Sequence, residues 1–336
     1  MRSVIQFGVA WLLLCFSAFS AAISFPHDLG VVELEQTPTR VVALNWSHAE
    51  MLLSLGVTPV GVTNISGYKK WQSNNPVLPD SVEEVGFRAS PDLRKLRALK
   101  PDLIVGYRFR HQRIYKQLSD IAPTLIFNQY PHGEDQDDYP ARMQRVFLQL
   151  ADVFDKRSQA QVILDEMDEK IRKARLTIEA AGLNGQPVVF GKFVGMGLGL
   201  RVYNDHSLAG ATINRLGLDN RWQAAIEGRD FSHIPLSQMY LLGDANLIYV
   251  GDLHKEGRRM IESPVWPLLP FVQRERTFQS PALWSFGGPE SAVRMAENIA
   301  QLLTQATLEN KGEESAAAVL KETVNVGEAV TLGETK

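Results

Sequence analysis

Arginine and aromatic side chains recur just past short apolar runs in this chain of 336 residues. Trp46 follows Val41 to Leu44, Trp71 follows Lys69 and Lys70, and Arg88 sits between Gly86 and Pro91. Tyr107, Arg108 and Arg110 follow Leu103 to Gly106, while Trp284 and Phe286 lie within Pro281 to Gly287. A guanidinium presents a planar fork of donors that matches anionic oxygens, and aromatic rings supply apolar contact area. Open α/β sheets bind ligands beyond the carboxyl ends of their strands, which is where these residues would fall. The set therefore points to recognition of a small, oxygen-rich molecule rather than to bond-making chemistry. Core packing stays open as a role for each tryptophan, as does an ordinary surface place for Arg88.

Catalytic arrangements are hard to find. The run Gly195-Met196-Gly197-Leu198-Gly199 has glycine at every second position, which is not the spacing of a dinucleotide loop. No G-x-S-x-G elbow occurs, and His27, His48, His111, His132, His206, His233 and His254 are scattered without metal-ligand spacing. The acidic cluster Glu134-Asp135-Gln136-Asp137-Asp138 reads as a solvated loop. The chain is not expected to be an enzyme or to carry a cofactor. A metal-dependent enzyme would need clustered histidines and carboxylates in a cleft.

The elements that must position these residues alternate. Val41 to Leu44 reads as a buried strand, Asn45 to His48 as a polar break, Glu50 to Leu55 as a helix stopped by Gly56, and Val60 to Val62 as a strand. Leu93 to Leu99 and then Pro101 to Gly106 repeat the pattern, which predicts a parallel sheet covered by helices. From Tyr139 to Ala181 no strand-like run occurs, and Val162, Ile163, Met167 and Ile171 recur at helical intervals. A helix from Ser158 to Ala181 would extend about 35 Å, enough to join two lobes, although an ordinary surface helix on one lobe is the alternative. Pro187 to Gly191, Ser207 to Gly217 and Leu241 to Gly251 then imitate the first half. The expected fold is α/β, with two similar lobes, each a parallel-type sheet covered by helices, joined by one long helix. The expected divisions are a signal peptide at 1–22, lobes at 23–138 and 183–304, a connecting helical region at 139–182 and a disordered tail at 305–336.

Composition narrows the partners. With 35 Lys plus Arg against 38 Asp plus Glu, the chain lacks the basic excess of a nucleic-acid binder. Arg2, the apolar run Val9 to Phe19 and the small residues after it fit a cleavable secretory signal. Cys15 is the only cysteine and lies inside that run, so the mature chain would have no disulfide or thiolate site. The tail after Leu303 contains no aromatic residue.

Several stretches together resemble the periplasmic ferric hydroxamate-binding proteins of siderophore ABC importers, in the helical-backbone class of substrate-binding proteins. They are Arg40 to Gly61 (RVVALNWSHAEMLLSLGVTPVG), Leu78 to Val82 with Gly86-Phe87-Arg88, Lys100 to Val105, and Ile121-Ala122-Pro123. Ser263 to Val272 and Pro281 to Ser285 complete the set. The resemblance implies a monomeric periplasmic receptor that carries an iron(III)-siderophore, of hydroxamate type first, to an inner-membrane permease with its ATPase. A catecholate or citrate-type siderophore, haem or cobalamin is the alternative cargo. It further implies that Arg88 hydrogen-bonds the iron-bound oxygens, and that Trp71, Trp284 and Phe286 line the cleft. The siderophore itself holds the iron, so no residue is a direct metal ligand. Tyr107 is the nearest counterpart of a ligand-contacting tyrosine, followed here by Arg108, Phe109 and Arg110 in place of a small neutral stretch. Phe286 replaces a tyrosine, and Phe231-Ser232-His233 fills a tryptophan-containing loop. The extra arginines favour a more anionic ligand. Arg94 and Ser237, at the positions compared with acidic permease-docking residues, are not acidic.

Overall fold

The computed structural model describes residues 22–132 and 137–308. The expected signal segment, most of the acidic cluster at 134–138 and most of the expected tail lie outside the described residues. No helix among the described residues is long and apolar enough to cross a membrane.

An antiparallel hairpin of Ile23–His27 and Gly30–Leu34 comes first. A five-stranded parallel sheet follows, in the order Glu83–Glu84, Gly61–Val62, Val41–Ala43, Leu103–Tyr107 and Thr124–Phe127. Its three central strands, Gly61–Val62, Val41–Ala43 and Leu103–Tyr107, are buried along their whole length, because helices cover both faces of a parallel sheet. Alternation divides them: Val42 and Ile104 pack with Leu96, Leu99 and Leu118, while Val41, Ala43, Leu103 and Val105 join the main core. The helix Leu93–Leu99 begins where the Asp92 side chain accepts from the Arg94 and Lys95 amides, and ends at Lys100 in a left-handed conformation before Pro101.

The connecting region contains the expected long helix, at Arg157–Ala180, with a second helix before it. Tyr139–Val153 and Arg157–Ala180 are separated by a turn in which Asp155 has φ of 53°. The second helix extends about 36 Å. It buries Ala160, Leu164, Met167, Ile171, Ala174 and Ile178, one stripe at helical spacing.

The second sheet runs Phe231–Ile234, Gly199–Tyr203, Pro187–Val194, Asn246–Val250 and Thr277–Ser280, with Asp219–Asn220 also pairing Pro187–Val194. Its core is parallel, as in the first lobe, but the Gly195 to Gly199 run folds back as a hairpin turn and adds two antiparallel strands. At Gly199 (φ 80°) a side chain would strike the Ile234 carbonyl, so the hairpin needs glycine there. The last described element is a helix over residues 289–308, so residues 305–308, expected in the tail, are helical. Met295, Ile299 and Leu303 of this helix are buried in the core cluster that also holds Val41 and Val105 of the first sheet and Val188 and Phe190 of the second.

Candidate ligand-binding site

The polar break expected at Asn45 to His48 is the start of the helix Trp46–Ser54, with the Asn45 side chain accepting from the Ser47 amide as its cap. Trp46 therefore points into the protein. It is 2% exposed, and its indole N–H donates to the Thr63 and Asn64 carbonyls. Trp284, from the loop after Thr277–Ser280, meets it edge to face with centroids 4.7 Å apart and donates to the Ser47 hydroxyl at 3.1 Å.

Arg88 lies over this pair, its guanidinium carbon 3.6 Å from the Trp46 centroid and 4.7 Å from that of Trp284. Such stacking is strongest where water is excluded. Burial first, and then Arg110 nearby, pull its guanidinium down to about 10. Arg88 Nη1 has no protein hydrogen-bond partner. The backbone of Arg88 is held by His111, whose Nε2 lies 2.9 Å from the Arg88 carbonyl and whose Nδ1 accepts from the Tyr107 amide. These partners fix the tautomer with the proton on Nε2.

Other cations repeat the arrangement from the second lobe. Lys192 Nζ stands 3.4 Å above the Trp71 ring, whose far edge approaches Gly251 so closely that a side chain there would clash. Arg201 covers Phe231 at 4.2 Å and donates to His233 at 3.1 Å. Arg229 reaches across to stack on Phe109 at 4.8 Å and Tyr130 at 4.2 Å of the first lobe. Beside it, Arg108, Phe109, Tyr130 and His132 line a small cavity that adjoins a larger one of about 570 Å³ between His132, His206 and residues 225–229.

The structure thus brings Arg88, Trp46, Trp284, Trp71 and Arg110 together, but in layers. Trp46, Phe286 (3% exposed) and Phe231 (5%) lie beneath the cations instead of forming an open apolar wall. They are buried because Phe286, Tyr130, Tyr139, Tyr203 and Phe231 form one edge-to-face cluster between the lobes. Tyr107 is not at the surface. It is 3% exposed and packs on His48 with centroids 4.2 Å apart, because it ends the fully buried strand Leu103–Tyr107. Arg108 turns along its own helix to Gln112 at 3.3 Å. Lys192, Arg201, Arg229, Tyr130 and His111 were not singled out from sequence. Tyr130 follows the end of an apolar strand, and Lys192 and Arg201 are lone charges within otherwise apolar strands, which are usable signals.

Two buried histidines beneath the site make a pH prediction. Burial above all, with His111 second, pushes His48 down to about 3, and burial chiefly pushes His111 down to about 4. The unfolded chain takes up these protons near pH 6.5 and the folded chain does not, so the stability is intact above 6.5 and falls with acidification. Each histidine is expected to contribute a loss of about 1.4 kcal/mol per pH unit below that value, ending near its folded pKa. Denaturant titrations from pH 7 to 5 check this, and His48→Phe should flatten the slope. An unchanged slope in that variant would exclude His48 as its source.

Comparison with known proteins gives a consistent picture. A family described as "Periplasmic binding protein" matches residues 41–282. The chain is 29% identical over 266 residues to the iron(3+)-hydroxamate-binding protein FhuD of Escherichia coli, covering 78% of this chain and 86% of that one. It is 28% identical over 285 residues to the Fe(3+) dicitrate-binding periplasmic protein FecB of the same organism, covering 82% and 87%. Among solved structures, the Fe3+-Desferal complex of FhuD from Vibrio cholerae superposes with a TM-score of 0.72 at 29% identity, covering 79% of this chain and 98% of that one. These relatives are substrate-binding transport proteins, not enzymes.

Proposed function

Because the chain belongs to the periplasmic binding protein family, we propose that it is the receptor of an ABC importer, binding an iron(III)-siderophore between its lobes and delivering it to an inner-membrane permease and its ATPase. The segment at 1–22 would direct it to the periplasm, where it would act as a monomer. The observation that carries this reading is Arg88. Its guanidinium lies over two indoles, its backbone carbonyl is held by His111, and Nη1 is without a protein partner. A donor so placed matches the outward oxygens of a chelate whose iron is already fully wrapped. Among the described residues no group of three or more His, Cys, Asp or Glu side chains could hold a metal ion. The cargo would therefore be recognised as a complex, with Arg88, Arg110, Trp71 and Trp284 at the cleft surface and Trp46, Phe286 and Phe231 beneath.

Titration of indole fluorescence tests it. Trp46, Trp71 and Trp284 all adjoin the cations, so iron-loaded siderophores should quench saturably and their iron-free forms should not. No saturable response to any iron(III) complex would defeat the proposal.

A further inference from the structure

Lys192 and Arg201 face each other directly across the hairpin, and Arg201 in turn is paired with His233 on the next strand. Three basic side chains therefore stand in a row across three strands, with the like-charge conflict between Lys192 and Arg201, since the His233 ring accepts from Arg201 and its pKa is lowered by burial. Like charges directly opposite one another weaken a sheet, and folds retain such conflicts chiefly where function needs them. The opposing lobe adds Arg88 and Arg110 instead of relief, since Arg88 bears on Lys192 and Arg110 on Arg88. Among the described residues, Arg88, Arg110, Lys192 and Arg201 make no ion pair.

The nearby carboxylates do not resolve the conflict. Asp252 is bound to Lys70 at 2.6 Å. Asp230 is buried and shared by Arg142, Arg201 and Arg229, and burial pushes its carboxyl up to about 6, so it offsets at most one of the cations. Lys192 records the imbalance: burial first, then Arg201, Arg88 and Lys70, bring its ammonium down to about 7.

We propose, resting on the receptor reading above, that the Lys192–Arg201–His233 row together with Arg88 and Arg110 selects iron(III) complexes carrying net negative charge on carboxylate oxygens, as citrate-type chelates do, over neutral or cationic hydroxamates. An anionic complex seated between the lobes supplies the counter-charge that the protein lacks. A neutral complex leaves the repulsion in place, and a cationic one adds to it. This revises the hydroxamate expectation drawn from the sequence.

The test is fluorescence titration of the mature protein with ferric citrate, neutral ferrichrome and cationic ferrioxamine B, at low salt and at about 0.5 M salt. Ferric citrate should bind at least about 100-fold more tightly than either hydroxamate at low salt, and the advantage should shrink in high salt. Lys192→Met should weaken ferric citrate about 10-fold without lowering the melting temperature, because it removes a repulsive pair. Salt dependence in the unaltered protein provides a readout that needs no variant. A hydroxamate bound as tightly as ferric citrate, or full ferric citrate affinity in Lys192→Met, would overturn the charge selection while leaving the receptor. Binding of none of these three but of another iron(III) complex would overturn the selection alone, and absence of saturable binding by any iron(III) complex would overturn the receptor reading with it.

Discussion

Glu50→Ala is expected to lower the free energy of unfolding by about 3 to 5 kcal/mol. Glu50 is fully buried on the helix Trp46–Ser54, and its carboxyl oxygens accept from Gln72 Nε2 at 2.6 Å, the Gly288 amide at 3.0 Å, the Ser291 amide at 2.7 Å and the Ser291 hydroxyl at 2.7 Å. Removing the acceptor strands several buried donors at once, each costing about 1 to 3 kcal/mol. The packing leaves no room for substitutes, since a side chain at Gly287 would collide with Ser291 and crowd Glu50. Glu50→Gln should recover part of the loss, because it keeps one acceptor oxygen and the shape. Urea titration with an unchanged m-value is the measurement. A loss below about 1 kcal/mol in Glu50→Ala would show that the donors find other partners.

Arg88→Ala should weaken binding of the iron complex by about 1.5 to 3 kcal/mol, the range for a hydrogen bond to a charged group, or roughly 10- to 150-fold. The side chain contributes both a buried Nη1 without a protein partner and a flat surface stacked over Trp46 and Trp284. Arg88→Lys keeps the charge but loses the fork and the stacking, so most of the affinity should still be lost. Fluorescence or calorimetric titration of the two variants separates charge from geometry. Unchanged affinity in Arg88→Ala would remove the residue from the site.

Elements defined by local chemistry were legible. Leu93–Leu99 matches its expected limits because Asp92 caps it and Pro101 follows, and the strand beginning at Leu103 is a continuous apolar run. The long connecting helix was legible from its apolar stripe, expected from Ser158 to Ala181 and found at Arg157–Ala180, whereas the helix Tyr139–Val153 before it was not singled out, because the turn between them rests on Asp155 in a left-handed conformation without the usual glycine or proline. Trp46 was misread as a loop residue because Asn45, a cap, looked like part of a longer break. At the site, residues reachable by the strand-end rule could be named, Arg88 and Trp284 among them. The Lys192–Arg201–His233 row could not, since it exists only in the register of a hairpin whose turn is the alternating glycine run. Which aromatics are covered is likewise a property of the assembled lobes, as Phe231 beneath Arg201 illustrates.

The segment 284–291 that leaves the second sheet is fastened to the first lobe at Ser47 and Glu50 and to the connecting region at Tyr139. Two lobes sharing a fixed rear wall have little freedom to shut over an iron complex of the kind proposed above. Residence time is then governed by the surface contacts themselves rather than by a gating step, and capture can proceed at the speed of encounter. Unloading at the membrane would accordingly depend on the transporter competing for the cations or wedging against the wall, because spontaneous reopening is not available as a trigger.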